Sequence, residues 1–194
     1  MRIIAGKRKG LRLSTFRNRD IRPTADFLKE LIFNVLGDVV KSSCVLDIFA
    51  GTGSLGIEAL SRGAARAIFI ESNSFAQRLI QRNLEKCDLA QYAAIIGTNA
   101  NSALKLLSGR KLKFDLIIAD PPYQKKLVLE TIKSIEENDL LKPGGWFVIE
   151  QSSRAEILLP DKYVLKTQKI KGDSAVLFFV YEREAESSDL PGDI

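Results

Sequence analysis

Val45-Leu46-Asp47-Ile48-Phe49-Ala50-Gly51-Thr52-Gly53-Ser54-Leu55-Gly56 is the stretch that decides the fold. It opens as a buried strand (VLDIF, 45–49), passes through glycines spaced G-x-G-x-x-G, and continues as an apolar helical pattern from about Ser54 to Arg62. The glycines permit a tight turn and let the backbone come close to a ligand. The next strand, AIFIE (67–71), ends in Glu71, 20 residues after Gly51. A carboxylate there can accept hydrogen bonds from both ribose hydroxyls of a nucleoside cofactor.

That spacing suits dinucleotide and adenosyl cofactors alike. Asp47 shifts the balance between them. A carboxylate inside an apolar strand carries a desolvation cost unless it is hydrogen-bonded. It can tie down the glycine loop through backbone N–H groups, or help receive the amino end of a cofactor amino acid. A pyrophosphate gains nothing from that negative charge. S-adenosylmethionine (AdoMet), with an ammonium and a sulfonium, does.

Working outward, strand and helix alternate. Helices are predicted over about 74–87, 101–107 and 125–137, with strands at 92–96, 114–119 and 146–151. A Pro-Gly-Gly turn precedes the last of these strands. Two more strands, 162–170 and 175–182, flank a short turn at Gly172-Asp173, so one of them runs antiparallel. Upstream, Phe27, Leu28, Leu31, Ile32, Val35 and Leu36 recur at helical spacing after Pro23-Thr24. The expected fold is α/β and Rossmann-like: a seven-stranded, mostly parallel sheet with one antiparallel strand, covered on both faces. Residues 2–13 read as a short β-hairpin arm rather than core. The expected division is a basic arm over 1–22, a catalytic domain over 23–183 and an acidic disordered tail over 184–194.

Composition narrows the chemistry. The 194 residues carry a net charge of +5. Residues 1–22 alone hold eight basic residues and one acid, a net +7, which leaves the rest at −2. A near-neutral body with a basic front end suits a polyanion partner. With no His, Ser-His-Asp and Cys-His catalysis are excluded, as are the common His-ligated metal sites. The two cysteines, Cys44 and Cys87, cannot build a disulfide framework or a four-Cys zinc site. The chain shows neither a signal-peptide pattern nor a membrane-span pattern, so a soluble cytoplasmic protein, expected to be a monomer, is predicted.

The second decisive motif is Asp120-Pro121-Pro122-Tyr123 at the end of the 114–119 strand. Consecutive prolines fix the backbone and remove two N–H donors. The result is a shelf at the carboxyl end of a parallel sheet, where ligands bind in such folds. Asp120 and the Pro121 carbonyl can accept hydrogen bonds from one exocyclic amine, and Tyr123 can stack on a base taken out of its helix.

With these motifs the chain resembles class I AdoMet-dependent methyltransferases, and more closely the 16S rRNA guanine-N2 methyltransferases of the RsmD family. The resemblance rests also on Arg2-Ile3-Ile4-Ala5-Gly6-Lys7, Arg22-Pro23-Thr24, Glu30-x-x-Phe33-Asn34 and the run from Leu55 to Ala64, and it covers about residues 1–181. It implies methyl transfer from AdoMet, leaving S-adenosylhomocysteine, to N2 of a guanine in small-subunit rRNA. The substrate would be the small ribosomal subunit or its assembly intermediate, and no metal is required.

It implies that Asp47, Phe49, Ala50, Gly51, Thr52, Gly53, Glu71, Ser72, Asn99 and Ala100 hold the cofactor. Asp120, Pro121, Pro122 and Tyr123 would receive the base. Arg2, Lys7, Arg8, Lys9 and Arg12 would contact phosphates, and Arg22 and Thr24 would approach the cofactor or target nucleotide. The chain departs from the family pattern at three places: Asn99 stands where an Asp is usual, Ser72-Asn73 where a charged pair is common, and Phe27-Leu28 where basic residues are common. Other readings are a DNA adenine-N6 or cytosine-N4 methyltransferase, a protein-glutamine methyltransferase, a nicotinamide oxidoreductase, or a non-catalytic RNA-binding assembly factor.

Overall fold

In the computed structural model, which describes residues 1–16, 23–122, 125–155 and 161–182, apolar runs of strand length sit at the centre and amphipathic helices cover them. The sheet is built from β1 (Cys44–Ile48), β2 (Arg66–Ile70), β3 (Ala93–Ile96), β4 (Phe114–Ala119), β5 (Leu141–Ser152), β6 (Tyr163–Lys171) and β7 (Ser174–Tyr181). The order across it is β3-β2-β1-β4-β5-β7-β6. β1 to β5 pair in parallel, and β7 runs antiparallel to both β5 and β6. Burial of both sheet faces makes the inner strands continuously apolar rather than alternating. β4 (FDLIIA) and β7 (SAVLFFVY) are the clearest cases.

The helices are α1 (Pro23–Leu36), α2 (Ser54–Ser61), α3 (Ser74–Lys86), α4 (Ala100–Gly109) and α5 (Lys125–Glu137). α1, α2 and α3 cover one face and share a core with Val45, Phe69, Leu116, Val148 and Phe178. α4 and α5 cover the other, with Leu46, Ile117, Phe147 and Phe179. Alternate residues of each strand feed alternate cores, as the strand period of two requires. The order reverses at β1 and β4, whose carboxyl ends form the crevice where such sheets bind ligands.

Two expectations change. The Pro-Gly-Gly turn does not precede the fifth strand but lies within it. Phe114 pairs with Leu141 and Leu116 with Trp146, so residues 142–145 bulge out of the β4–β5 ladder. Gly144, at φ +74°, supplies the turn.

The N-terminal hairpin is present, with Ile3 N–H donating to Leu11 O and Gly10 N–H to Ile3 O, but it is not separate from the core. Ile3 and Leu13 are buried in the α1–α3 core. Gly6 presses its Cα face against α2: an added Cβ would lie 1.9 Å from the Ser61 carbonyl oxygen. A pattern of apolar pairs in a basic segment does not reveal which side is covered, and here α2 covers it. The tail over 184–194 lies outside the described residues.

Candidate active site

The glycine loop takes its shape from three positive φ angles: Phe49 at 63°, Gly51 at 57° and Gly53 at 75°. Phe49 is the costly one, because a Cβ disfavours that region. The loop is stitched to the sheet, with Ala50 N–H donating to Ile70 O at 3.1 Å and Gly53 N–H to Ala50 O at 2.7 Å. Gly56 is the packing glycine of the motif. A Cβ there would stand 2.3 Å from the Phe69 ring, so only glycine lets α2 settle on β2.

Asp47 lies under that contact. Its Oδ2 accepts the Gly56 N–H at 2.8 Å, which satisfies a donor in the first turn of α2. Burial pushes its carboxyl up to about 7, and the charges of Asp120 and Glu71 push the same way, while the Gly56 bond opposes them. Asp47 therefore ties down the loop, one of the two roles expected of it. Strand register brings three carboxylates together: Ile48 pairs with both Ile70 and Ala119, so Asp47, Glu71 and Asp120 lie at the carboxyl ends of the adjacent strands β1, β2 and β4 as one acidic centre.

Glu71 grips the loop from the other side. Its Oε2 accepts the Gly51 N–H and its Oε1 the Asn73 N–H, both at 2.8 Å. Each oxygen keeps a lone pair for another donor. Asn73 in turn caps α3 through Phe75 and Ala76 N–H groups. Ser72 is exposed beside it, and Ala100 is buried in the first turn of α4. Asn99 caps α4, its Oδ1 accepting the Ser102 N–H at 2.9 Å. One lone pair of that oxygen is thus committed to the helix.

Asp120 continues the β4 ladder by donating its backbone N–H to Ile48 O at 3.3 Å. This ties the proline shelf to the strand that launches the glycine loop. Its carboxyl is open to solvent on one side and crowded by protein on the others. Desolvation and the charge of Glu150, on the neighbouring β5, push it up to about 7. Pro121 is buried and Pro122 exposed. Tyr123 and Arg22 lie outside the described residues, and of Thr24 only the backbone is described, within α1. Among the described residues no cluster of three His, Cys, Asp or Glu could hold a metal ion, and no helix is long and apolar enough to cross a membrane.

The basic arm divides in two. Arg2, Lys7, Lys9 and Arg12 are exposed. Arg8 is engaged in structure: its Nε donates to Cys87 O at 2.5 Å and its guanidinium pairs with Asp88 at 2.9 Å.

Sequence reasoning missed the residues that seat the arm. Glu58, fully buried in α2, accepts the Ile4 N–H at 2.8 Å, the Ala5 N–H at 3.0 Å and Arg62 Nε at 2.8 Å. Lys29, buried in α1, stands 3.7 Å from it. Burial pulls the Lys29 ammonium down, while Glu58 and Asp26 oppose that. Asn83, buried in α3, donates to Ser14 O and Thr52 O and accepts from Ser14 N–H. It clamps the end of the arm to the glycine loop. The available signal was a polar residue on the apolar face of each helix, as with Asn83 between Ile80 and Leu84.

The sheet order, the glycine loop after β1, the carboxylate after β2 and the D-P-P shelf after β4 are together those of a Rossmann-like class I methyltransferase. The family model "Conserved hypothetical protein 95" matches residues 1–180, and the chain belongs to that family. It is 34% identical to "Ribosomal RNA small subunit methyltransferase D" of Haemophilus influenzae over 174 residues, covering 89% of each chain. It is 36% identical to "Putative rRNA methyltransferase YlbH" of Bacillus subtilis over 157 residues, covering 81% of this chain and 85% of that one. Among solved structures, "Putative methyltransferase yhhF from Escherichia coli" superposes with a TM-score of 0.84 at 32% identity, covering 94% of this chain and 98% of that one.

Proposed function

We propose that the protein transfers a methyl group from AdoMet to the exocyclic N2 amine of a guanine in 16S rRNA, acting on the small ribosomal subunit or an assembly intermediate. The observation that carries this reading is the acidic centre of Asp47, Glu71 and Asp120 around a glycine loop. Three carboxylates there favour a cationic cofactor over a pyrophosphate, which speaks against a nicotinamide oxidoreductase. The names of the relatives from Haemophilus influenzae and Bacillus subtilis support an rRNA substrate.

Bound AdoMet supplies an activated methyl group, so the protein's task is positioning. Gly51 and Gly53 admit the cofactor close to the backbone, and Glu71 holds its ribose. Asp47 lies under the loop at the cofactor's amino-acid end, where the ammonium would favour the ionised form of a carboxyl that burial has raised to about 7. Asp120 and the Pro121 carbonyl accept hydrogen bonds from the guanine amine and orient its nitrogen for attack. As the N–C bond forms and the methyl–sulfur bond breaks, positive charge moves onto that nitrogen, and the proton it sheds would go to Asp120. A carboxyl raised to about 7 is a far better acceptor for it than an ordinary aspartate. Arg2, Lys7, Lys9 and Arg12 provide exposed cations for the phosphates.

The test offers labelled AdoMet to undermodified small subunits, free 16S rRNA and DNA, then maps the label. Label on a guanine N2 of 16S rRNA is the expected result. Label in DNA alone overturns the proposal.

A further inference from the structure

The arm is one basic surface of the molecule. Strand register locates a second. Ala119 pairs with Ile149, Ile149 with Leu177, and Leu177 with Gln168. The next row runs from Asp120 through Glu150 and Val176 to Lys169, and Lys171 lies two residues further along β6. Lys169 thus stands level with Asp120, three strands away, or about 14 Å across the sheet.

Paired residues of an antiparallel ladder point to the same face. Lys169 pairs with Val176, which faces the α1–α3 core, and Lys171 with Ser174 on that same side. Both lysines are exposed. The Lys171 ammonium sits 3.3 Å from the centroid of the Phe27 ring, at the start of α1, and that ring is itself 43% exposed. A cation over an aromatic face is held in direction without being neutralised.

The platform is tied together. Ser153 N–H donates to Asp173 O at 2.8 Å, joining the end of β5 to the β6–β7 turn. Arg154 pairs there with Asp173 at 3.4 Å, and Glu150 lies two strands in from Lys169. The two lysines have no such carboxylate partner among the ion pairs of the described residues.

We infer that the carboxyl end of β6, Lys169 and Lys171 braced on Phe27, is a second RNA-docking surface that grips phosphates of the rRNA strand beside the target guanine. The inference rests on the proposed function. The tip of the arm sits by Ser61 and Cys87, at the carboxyl ends of α2 and α3, but its base reaches the glycine loop, where Asn83 joins Ser14 to Thr52; the β6 surface lies on the other side of the crevice, beyond β5 and β7. An RNA strand held at the base of the arm, where Arg2 and Arg12 pair, and at this surface is pinned on either side of Asp120. Contacts to the flanking backbone help offset the cost of drawing a base out of its stack into the crevice. The surface also supplies cations near α1, whose early residues Phe27-Leu28 carry no charge.

The test compares wild-type protein with the Lys169→Gln/Lys171→Gln double variant on undermodified small subunits. Wild-type methylation of rRNA is the first readout; its absence overturns the proposed function itself. Given that activity, the double variant is expected to raise KM for the subunit on the order of 10-fold and to reduce the salt dependence of binding by roughly 1.4 in log–log slope, for two single-strand phosphate contacts. Its kcat at saturation and its affinity for AdoMet should match wild type. Phe27→Leu should raise KM in part, with Phe27→Tyr restoring it, and Lys133→Gln, on α5, should change nothing. Unchanged KM and salt slope in the double variant overturn the docking surface, as does a fall in kcat alone.

Discussion

The backbone N–H of Ile4 donates to the buried carboxylate of Glu58 across 2.8 Å, fastening the N-terminal hairpin to the helix that follows the glycine loop. The same carboxylate balances buried Lys29, and Arg62 bridges it to α1 by standing 4.9 Å over the Phe33 ring. Glu58→Ala leaves Lys29 buried without its main partner, so we expect a loss of about 3–5 kcal/mol. Glu58→Gln, which keeps an acceptor for Ile4, should lose less. Urea unfolding of both variants measures the difference.

Removing the arm is for the same reason a poor test of RNA binding. A truncation would uncover the core around Ile3 and Leu13 and strip Glu58 of two donors. Lys7→Gln/Lys9→Gln/Arg12→Gln is expected to weaken RNA binding several-fold with little change in Tm, since all three side chains are exposed. Binding titrations at two salt concentrations, paired with thermal melts, check this.

Asp120→Asn should abolish methyl transfer and leave AdoMet affinity within a few-fold of wild type by calorimetry. In the wild type, kcat/KM for RNA should rise with pH through about 7, because the carboxyl accepts a proton only once it is ionised. A profile flat from pH 5.5 to 8.5 would contradict the role of base.

Asp47 titrates in the same window, and its sign can be worked out. Its folded value is about 7 against an ordinary 3.8, so the native state holds the proton where the unfolded chain has lost it. The associated stability is full below about pH 4 and is lost as pH rises through 7. Asp47→Asn keeps an acceptor for Gly56 N–H and removes the titration. Its stability relative to wild type should therefore improve with pH, by up to about 4 kcal/mol between pH 4 and 8. Its AdoMet affinity should fall. Denaturation at both pH values and a binding isotherm test the two halves separately.

Gly56→Ala should destabilise by at least 1–3 kcal/mol, since the new methyl would meet the Phe69 ring at 2.3 Å and overpack a tight contact. Phe69→Leu in the same chain should recover part of the loss, a coupling that a double-mutant cycle reads directly.

Much of this was legible in the chain. Asp47, Gly51, Gly53, Glu71 and the Asp120-Pro121-Pro122 shelf sit at strand ends, and strand ends are marked by local signals: a short apolar run, then glycine or proline. Periodicity separates helix from strand for the same local reason. Glu58, Asn83, Lys29 and Glu150 were not legible as site-builders. A single polar residue on an apolar face looks alike whether it bonds a neighbour in sequence or a segment 54 residues away, as Glu58 does with Ile4.

The sequence by itself therefore determined the order of strands and helices, the glycine turn, the proline shelf and the concentration of charge in the first 22 residues. Each depends on φ preference, hydrophobic period or composition, which are properties of residues near one another in the chain. Tertiary structure alone decided that the basic arm is welded to α2, that Asp47 serves the loop through Gly56, and that Lys169 stands level with Asp120, with Lys171 just beyond it. Those facts depend on which strands become neighbours and in what register, and pairing across long separations is settled by the packing of the whole sheet.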